Sequence, residues 1–329
     1  MKYDLLVFIG RFQPLHLGHQ RVIESALGMS KHVMVMIGGL GKARTSRNPF
    51  TFEERQDMIS RLYPDVRICG IHDHTYNDTA WVEEVQSCVN NFAKLAGAEK
   101  IGLIGCAKDH TSYYLKMFPE WGSEAVEHLN PLNATSIRKM FYEETHMEHE
   151  VSAIMDHATA HWMFDVWKKS ENYQRSRQQY IDGLAYIEKW GEGPHLTADA
   201  LVQVGGNVLL IERGDGGGLA LPGGFLNKYE RFEEGALREL REETRLRVPV
   251  PVLKGSIKAR RIFDDPHRSE RGRIVTECFY IKLENETSLP EVRGSDDAKE
   301  AGWFPISELR EADFFEDHYH IIKTMLGLQ

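Results

Sequence analysis

LLVFIGRFQPLHLGH, residues 5–19, decides the fold of the first half of the chain. Leu5–Ile9 is an unbroken apolar run of strand length, Gly10 closes it, and an amphipathic segment with helical spacing starts near Gly18. A glycine at a strand end lets the backbone approach a phosphate, and a helix that starts just beyond it aims free N–H groups at the same anion. His16 and His19, three residues apart, flank that helix start and can both donate to phosphate oxygens. Such a constellation suits a reaction in which a phosphate oxygen attacks the α-phosphorus of ATP and pyrophosphate leaves. That chemistry asks for positioning and charge neutralisation, not for a covalent nucleophile.

Outward from this stretch, Val33–Ile37, Val66–Ile71 and Ile101–Gly105 are further strand candidates, and Gly18–Met29, Thr51–Leu62 and Thr79–Leu95 are helical. Strand–helix alternation predicts a doubly wound parallel α/β sheet with its ligand beyond the carboxyl ends of the strands. From about Ser136 to Trp190 the pattern is helical, with Trp162, Phe164 and Trp167 as apolar anchors. Gly191-Glu192-Gly193-Pro194 breaks it, so the boundary is placed there, with domains over 1–190 and 195–329. Beyond it lie strand candidates at Thr197–Val204, Asn207–Glu212, Leu219–Leu221 and Ile274–Leu283, with one strong helix from Arg231 to Arg245. The second half is therefore expected to be α+β.

Bulk properties limit the possible functions. A chain of 329 residues exceeds one ordinary core, and 42% hydrophobic with 27% charged residues is a globular composition. A net charge of −9 argues against a broad nucleic-acid surface but not against small phosphorylated ligands at local basic clusters. Two such clusters are Lys42, Arg44 and Arg47, and Lys258, Arg260 and Arg261 with Arg268, Arg271 and Arg273. No apolar run approaches the roughly 18 residues of a membrane span, and the first residues do not read as a signal peptide. The four cysteines (Cys69, Cys88, Cys106, Cys278) form no CxxC pair, so neither a zinc site nor a disulfide framework is expected, and the cytoplasm is the expected compartment.

A second phosphate-binding candidate is Asn133-Ala134-Thr135-Ser136-Ile137-Arg138, whose hydroxyls, N–H groups and arginine sit at a loop–helix junction. With GRFQPLHLGH, Arg47-Asn48-Pro49-Phe50-Thr51, Glu54-Arg55, Asn77-Asp78-Thr79-Ala80-Trp81 and the Gly105 to Tyr114 stretch through Lys108-Asp109, residues 3–140 resemble the HxGH nucleotidyltransferases. More narrowly, they resemble the archaeal-type nicotinamide mononucleotide (NMN) adenylyltransferases. The resemblance implies that Arg11, His16, His19 and Arg138 contact the ATP phosphates. It also implies that Trp81 stacks on the nicotinamide ring beside Asn77, and that Arg47 and Asn48 help to fix both substrates' phosphates. Gly10, Phe12, Arg44, Lys108, Asp109, Asn133 and Thr135 complete the expected ATP/NMN surface. Asn133 replaces the family's commoner serine.

In the second half, Gly224, Glu230, Arg238-Glu239-Leu240-Arg241-Glu242-Glu243 and Leu246 recur at fixed spacing. Residues three and four apart share a helix face, so Glu239, Glu242 and Glu243 converge. Clustered carboxylates repel one another unless a divalent cation sits among them, and oxygen donors suit Mg²⁺ or Mn²⁺. A Glu-rich helix alone also describes a solvated face; the fixed Gly and Arg positions separate the two readings. The spacing is that of the Nudix hydrolases. The resemblance implies a metal site of Glu239, Glu242 and Glu243 assisted by Glu230, a turn at Gly223-Gly224, and an orienting role for Arg238. The family's glycine is Arg245 here, which predicts a changed helix exit without lost metal binding.

The segment from Arg261 to Arg273 resembles that of ADP-ribose pyrophosphatases, which implies diphosphate contacts from Arg261, Arg271 and Arg273. For a further acid or base, Glu300, Asp297 and Asp296 are the candidates. The order of the two halves is similar to that of bifunctional NMN adenylyltransferase/Nudix proteins, with ATP, NMN, NAD and ADP-ribose as the implied partners and a homo-oligomer as an open possibility. Two alternatives stay open at this point. The second half is a nucleotide sensor that binds without cleaving, or the first half adenylylates another phosphorylated acceptor.

Overall fold

The apolar runs of the first half form a five-stranded parallel sheet in the computed structural model, which describes residues 1–106, 117–126, 133–145, 148–284, 288–295 and 298–328, with only the backbone of Glu148 and Ser152. The chain divides into two compact units, Met1–Tyr180 and Ile181–Gln329. The first unit runs β1 (Tyr3–Gly10), α1 (Leu17–Met29), β2 (Ser30–Gly38), α2 (Phe52–Leu62), β3 (Arg67–Ile71), α3 (Asp78–Ala96), β4 (Ile101–Cys106) and β5 (Gly122–Val126). There follow α4 (Ala134–Glu143), α5 (Glu148–Ser152), α6 (His157–Trp162), a π-helical turn at Met163–Trp167, and α7 (Glu171–Trp190), whose residues from Ile181 on belong to the second unit.

The strand order is β3-β2-β1-β4-β5, every pairing parallel. Because side chains alternate across a strand, Leu6 and Phe8 enter the layer packed by α1, Phe141 and Trp167, whereas Leu5 and Val7 enter the layer of Val85 and Val89 from α3. Burial on both faces is why β1 reads as a continuous apolar run. The order reverses between β1 and β4, which places the crevice at the carboxyl end of β1, next to Gly10.

Several helix starts that border this end of the sheet are capped by residues the sequence singles out. His16 caps α1, Asn77 caps α3 and Asn133 caps α4, each accepting a backbone N–H of the first turn. Thr51 and Glu54 cap α2 reciprocally. The cysteines depart from expectation. The sulfurs of Cys69 on β3 and Cys88 on α3 are joined, with Cα atoms 7.6 Å apart. Linear spacing misses this pair because it is the packing of α3 beside β3 that brings the two together.

The second unit holds β6 (His195–Val204), β7 (Asn207–Arg213), β8 (Leu219–Ala220), β9 (Gly223–Phe225), α8 (Phe232–Thr244), α9 (Val250–Gly255), β10 (Ile257–Phe263), β11 (Ile274–Lys282), β12 (Ala298–Pro305) and α10 (His318–Leu326). Its sheet is mixed, ordered β10-β11-β6-β7-β12, with β8 on β7 and β9 on β6. Among the described residues β11–β6 is the one parallel pairing between strands of this sheet, and Leu219 of β8 makes a single parallel bridge to Phe314. Helix α8 packs Ala236, Leu237 and Leu240 onto Ala198, Ala200 and Val202 of β6. Among the described residues no helix is long and apolar enough to cross a membrane.

Two local expectations change. Gly223-Gly224 is part of a short strand paired with Asp199 and Ala198, not a bare turn. Arg245 itself adopts the left-handed conformation (φ 53°, ψ 22°) and closes α8, so the exit that glycine would make is kept, at the conformational cost of a side chain there.

Candidate active sites

The first site begins with a loop that the sequence holds tightly. Gln13 is buried and exchanges two hydrogen bonds with the Phe50 backbone, donating to its carbonyl at 2.9 Å and accepting its N–H at 3.0 Å. Phe12 has a positive φ of 52° and tucks its ring under Gly10, where a Cβ would lie 3.0 Å from ring carbons. Gly10 is therefore demanded by Phe12 as well as by any ligand. Phe12 is buried and meets His19 at a ring separation of 4.8 Å.

His16 and His19 stack with ring centroids 3.7 Å apart. His16 Nδ1 accepts the Gly18 N–H at 3.1 Å, so the neutral ring carries its proton on Nε2 and is a donor there. A Cβ on Gly18 would lie 2.9 Å from the His16 ring, which explains the glycine between the two histidines.

Arginines converge on the same loop. Arg138, nearly buried on α4, donates to the Gln13 carbonyl at 2.6 Å and to Thr135 Oγ1 at 3.4 Å. Arg11 reaches Asn48 Oδ1 at 3.3 Å and Asp73 Oδ2 at 3.0 Å, and Lys42 shares that carboxylate at 2.6 Å. Arg44 instead forks onto Glu54 at 2.8 and 3.0 Å and onto the Pro49 carbonyl. Arg47 is half-buried in the same loop.

Arg55, to which the sequence reading assigns no role, is buried and donates to the carbonyls of Arg11, Gly38, Gly39 and Thr51. Burial, with the nearby Arg11 charge, lowers its pKa to about 10, so it stays charged at neutral pH. It ties the loop after β1 to the loop after β2. Its advance signals are its place in the Glu54-Arg55 pair that carries part of the resemblance and an arginine among the apolar residues Met58 and Ile59 on the buried face of α2.

Asn77 places its Oδ1 on the Ala80 N–H at 3.1 Å, and Trp81, one turn on, is half-buried beside Phe118. Asn133 likewise caps Ser136 at 2.8 Å. Lys108, Asp109, Tyr113 and Tyr114 lie outside the described residues.

In the second unit Arg238 is the pivot. Its guanidinium donates to Glu230 Oε1 at 2.7 Å, Glu230 Oε2 at 2.9 Å, Glu239 Oε1 at 2.7 Å, Glu242 Oε2 at 2.9 Å and the Phe225 carbonyl at 3.0 Å. Glu230 is held at a pKa of about 2, chiefly by Arg238 and then by the Asn227 N–H, so both its oxygens are engaged.

Glu243 differs. It is buried and accepts the Gly223 N–H at 2.9 Å. Burial first, then Glu239 and Asp199, push its pKa up to about 8. A Cβ at position 224 would fall 2.5 Å from Glu239 Oε1, so any side chain there would displace the Glu239 carboxylate. A carboxyl kept from ionising by burial first, and then by Glu239 and Asp199, is one that a divalent cation would compensate, and oxygen donors suit such an ion. Among the described residues, however, Glu239, Glu242 and Glu243 do not gather their ligand atoms within 4.8 Å of one another.

Around this cage the arginines separate. Arg268 is buried in a bidentate pair with Asp317 (2.8 and 3.0 Å) and belongs to the core. Arg271 lies over the rings of Tyr186, Phe225 and Phe315 at 5.3 to 6.0 Å and reaches Glu316 at 3.4 Å. Its buried Nε has no hydrogen-bond partner among the described residues. Arg273 donates to the Asp264 carbonyl at 2.6 Å, and Arg261 is exposed on β10 beside Phe263. Glu300 is exposed on β12, while Asp296 and Asp297 are outside the described residues. Two buried carboxyls were not anticipated. Burial raises Asp199 to about 6 and raises Glu316. Asp199 is a single acid in the apolar run of β6, and Glu316 sits beside Asp317 in a stretch that reads as polar, so no local pattern marks either as buried.

The comparisons with known proteins follow the same division. Residues 7–99 match the cytidylyltransferase-like family model and residues 193–325 the NUDIX domain model. The chain is 38% identical over 184 residues to the nicotinamide/nicotinic acid mononucleotide adenylyltransferase of Acinetobacter baylyi, covering 54% of this chain and 94% of that protein. It is 34% identical over 136 residues to the ADP-ribose pyrophosphatase of Methanocaldococcus jannaschii, covering 40% of this chain and 73% of that protein. A crystal structure of a bifunctional NMN adenylyltransferase/ADP ribose pyrophosphatase from Francisella tularensis, complexed with AMP and a manganese ion, superposes with a TM-score of 0.86. It has 32% identity and covers 99% of both chains. Likeness that runs through both units at once, with each unit also matched separately, places this chain in the family of bifunctional NMN adenylyltransferase/ADP-ribose pyrophosphatases.

Proposed function

We propose that the first unit joins NMN to the adenylyl group of ATP, giving NAD and pyrophosphate, and that the second hydrolyses ADP-ribose to AMP and ribose 5-phosphate. The observation that carries the reading is the coexistence of two opposite constellations in separately packed units. One consists of stacked histidines and arginines at a helix start, the other of carboxylates around Arg238.

In the first, a phosphate oxygen of NMN attacks the α-phosphorus of ATP and the bond to pyrophosphate breaks. His16 and His19 donate to the developing charge, and the N–H groups opening α1 add to it. Arg11 and Arg138 neutralise the triphosphate, and Thr135 and Asn133 border it. Asn77 and Trp81 receive the nicotinamide ring. Arg55 and Gln13 are positioning residues that keep the loop in register.

In the second, Glu239, Glu242 and Glu243 hold a divalent cation, Mg²⁺ or Mn²⁺, which supplies Lewis-acid chemistry at the diphosphate. Arg238 aligns Glu239 and Glu242, and Glu230 fixes Arg238. Arg271, with its unsatisfied Nε over three rings, is the arginine best placed to take a phosphate oxygen. The retained carboxylate cage favours turnover over mere sensing.

Incubation with ATP, NMN, ADP-ribose and Mg²⁺, read by mass, is expected to give NAD, pyrophosphate, AMP and ribose 5-phosphate; ADP-ribose bound but uncleaved would leave a sensor. Trp81→Ala is expected to raise the KM for NMN about tenfold, in line with the 1–2 kcal/mol of a stacked cation. An unchanged KM points to another acceptor.

A further inference from the structure

A cluster of a different chemical character stands at the end of β3. His72 Nδ1 lies 2.9 Å from Glu84 Oε1, and His74 Nε2 lies 2.7 Å from Glu84 Oε2. The three side chains offer ligand atoms that all fall within 4.8 Å of one another. Both histidines come from one short segment, and Glu84 comes from the second turn of α3. The intervening Asp73 is turned to other work, pairing with Arg11 and Lys42. His74 and Tyr76 hold positive φ angles of 45° and 71°, an unfavourable backbone kept where it gathers the two rings about one carboxylate.

We propose that His72, His74 and Glu84 form a binding site for a borderline transition-metal cation, Zn²⁺ foremost, separate from the carboxylate cage of the second unit. Two imidazoles and one carboxylate are the three-ligand set of open zinc sites, whereas Mg²⁺ and Mn²⁺ favour oxygen donors. Donors at about 2.0–2.2 Å around a tetrahedral ion stand about 3.4 Å apart, so the ring–carboxylate distances of 2.9 and 2.7 Å have to lengthen slightly to admit it, and any separation near the 4.8 Å limit has to shorten. The ion would bind the two ring nitrogens that now face Glu84, with each neutral ring carrying its proton on the other nitrogen.

The site has a structural consequence. The His74 carbonyl accepts the Asn77 N–H at 2.8 Å, and Asn77, Trp81 and Glu84 are spaced along α3 as i, i+4 and i+7. A metal across His74 and Glu84 therefore staples the loop to the helix face that carries Asn77 and Trp81. Its effect on the acceptor rests on the reading above; metal binding itself does not.

The test uses the metal-free full chain in excess Mg²⁺, which satisfies the carboxylate cage, titrated with Zn²⁺ by calorimetry and with Co²⁺ by visible absorption. One Zn²⁺ per chain and a four-coordinate Co²⁺ band are expected, with His72→Ala and Glu84→Gln each weakening binding by more than about tenfold, the lower end of what even an outer partner contributes. NAD formation without added Zn²⁺ reports that the variants fold, and Glu84→Gln decides if His72→Ala does not. Equal Zn²⁺ affinity in both variants, or no Co²⁺ band in the wild type, overturns the proposal.

Discussion

The two candidate sites handle charge in opposite ways. Around β1 the protein gathers cations and donors and satisfies them with its own backbone. Buried Arg55 rests on four carbonyls, and Arg138 on the carbonyl of Gln13. Around α8 it gathers acids and satisfies only some of them. Glu230 is lowered to about 2 by Arg238 while Glu243, near the far end of α8, is raised to about 8 by burial and its acidic neighbours. A site for anionic phosphates can be complete as protein. A site that uses a cation has to keep one carboxyl in an unfavourable place until that cation compensates it.

The contrast breaks most sharply at Glu242. Glu242→Gln keeps size and hydrogen bonding but removes one charge from the cage. ADP-ribose hydrolysis is expected to fall about a thousandfold or more, with NAD formation within twofold of wild type. Loss of both activities, measured on the same preparation, would contradict two independent sites.

His16→Asn probes the other side. Asparagine is a good helix cap, so α1 and the melting temperature are expected to hold. The kcat for NAD formation is expected to drop 10²- to 10³-fold, roughly the effect of losing one donor to a developing oxyanion, with hydrolysis untouched. A fully active His16→Asn would mean that His16 serves only as the cap it visibly is.

Much of this contrast can be read in the sequence, because both sites begin as local patterns. Period and punctuation predict β1 to β4 and their helices, and the spacing on α8 puts Glu239 and Glu242 together on Arg238. The strands that escape prediction are β5, β9, β10 and β12, and the first three have weak local signals. β5 is the polar edge GSEAV, and β9 has three residues, two of them glycine. β10 carries five consecutive exposed residues, Lys258–Ile262, as charged edge strands do. The supporting shell is harder still. Arg44 reads as one more phosphate-side cation until Glu54, ten positions on, takes its fork. Arg55 and Gln13 bond to backbone, and backbone carbonyls carry no sequence signature.

Acid is expected to act on the second unit through His318. It is buried and accepts the Leu221 N–H at 3.2 Å, and burial with nearby Arg268, Arg213 and Arg271 lowers its pKa to about 3 despite Asp317. A histidine lowered on folding favours the native state above its unfolded pKa of about 6.5, and that contribution is lost as pH falls from there toward 3. Asp199, raised to about 6, acts in the opposite sense. The clean measurement is therefore a difference between chains. His318→Asn keeps an acceptor for Leu221 but cannot protonate, so its melting temperature is expected to decline less than that of wild type between pH 7 and about 4. Parallel curves would remove His318 as the cause.

The smallest expected effect concerns the departure from the Nudix spacing. Arg245 closes α8 at φ 53°, where a side chain costs roughly 1–2 kcal/mol relative to glycine. It recovers part of this through a 2.6 Å hydrogen bond to Ser295, which is exposed and worth about 0.5–1 kcal/mol. Arg245→Gly removes both terms, so a net gain of about 1 kcal/mol in unfolding free energy is expected by denaturant titration. Hydrolysis should be unchanged, because Glu239, Glu242 and Glu243 precede the exit and Arg238 still aligns the first two. If stability falls instead, the Ser295 contact outweighs the backbone strain. If hydrolysis changes, the helix exit is coupled to the carboxylate cage, and the arginine there tunes the chemistry in addition to ending a helix.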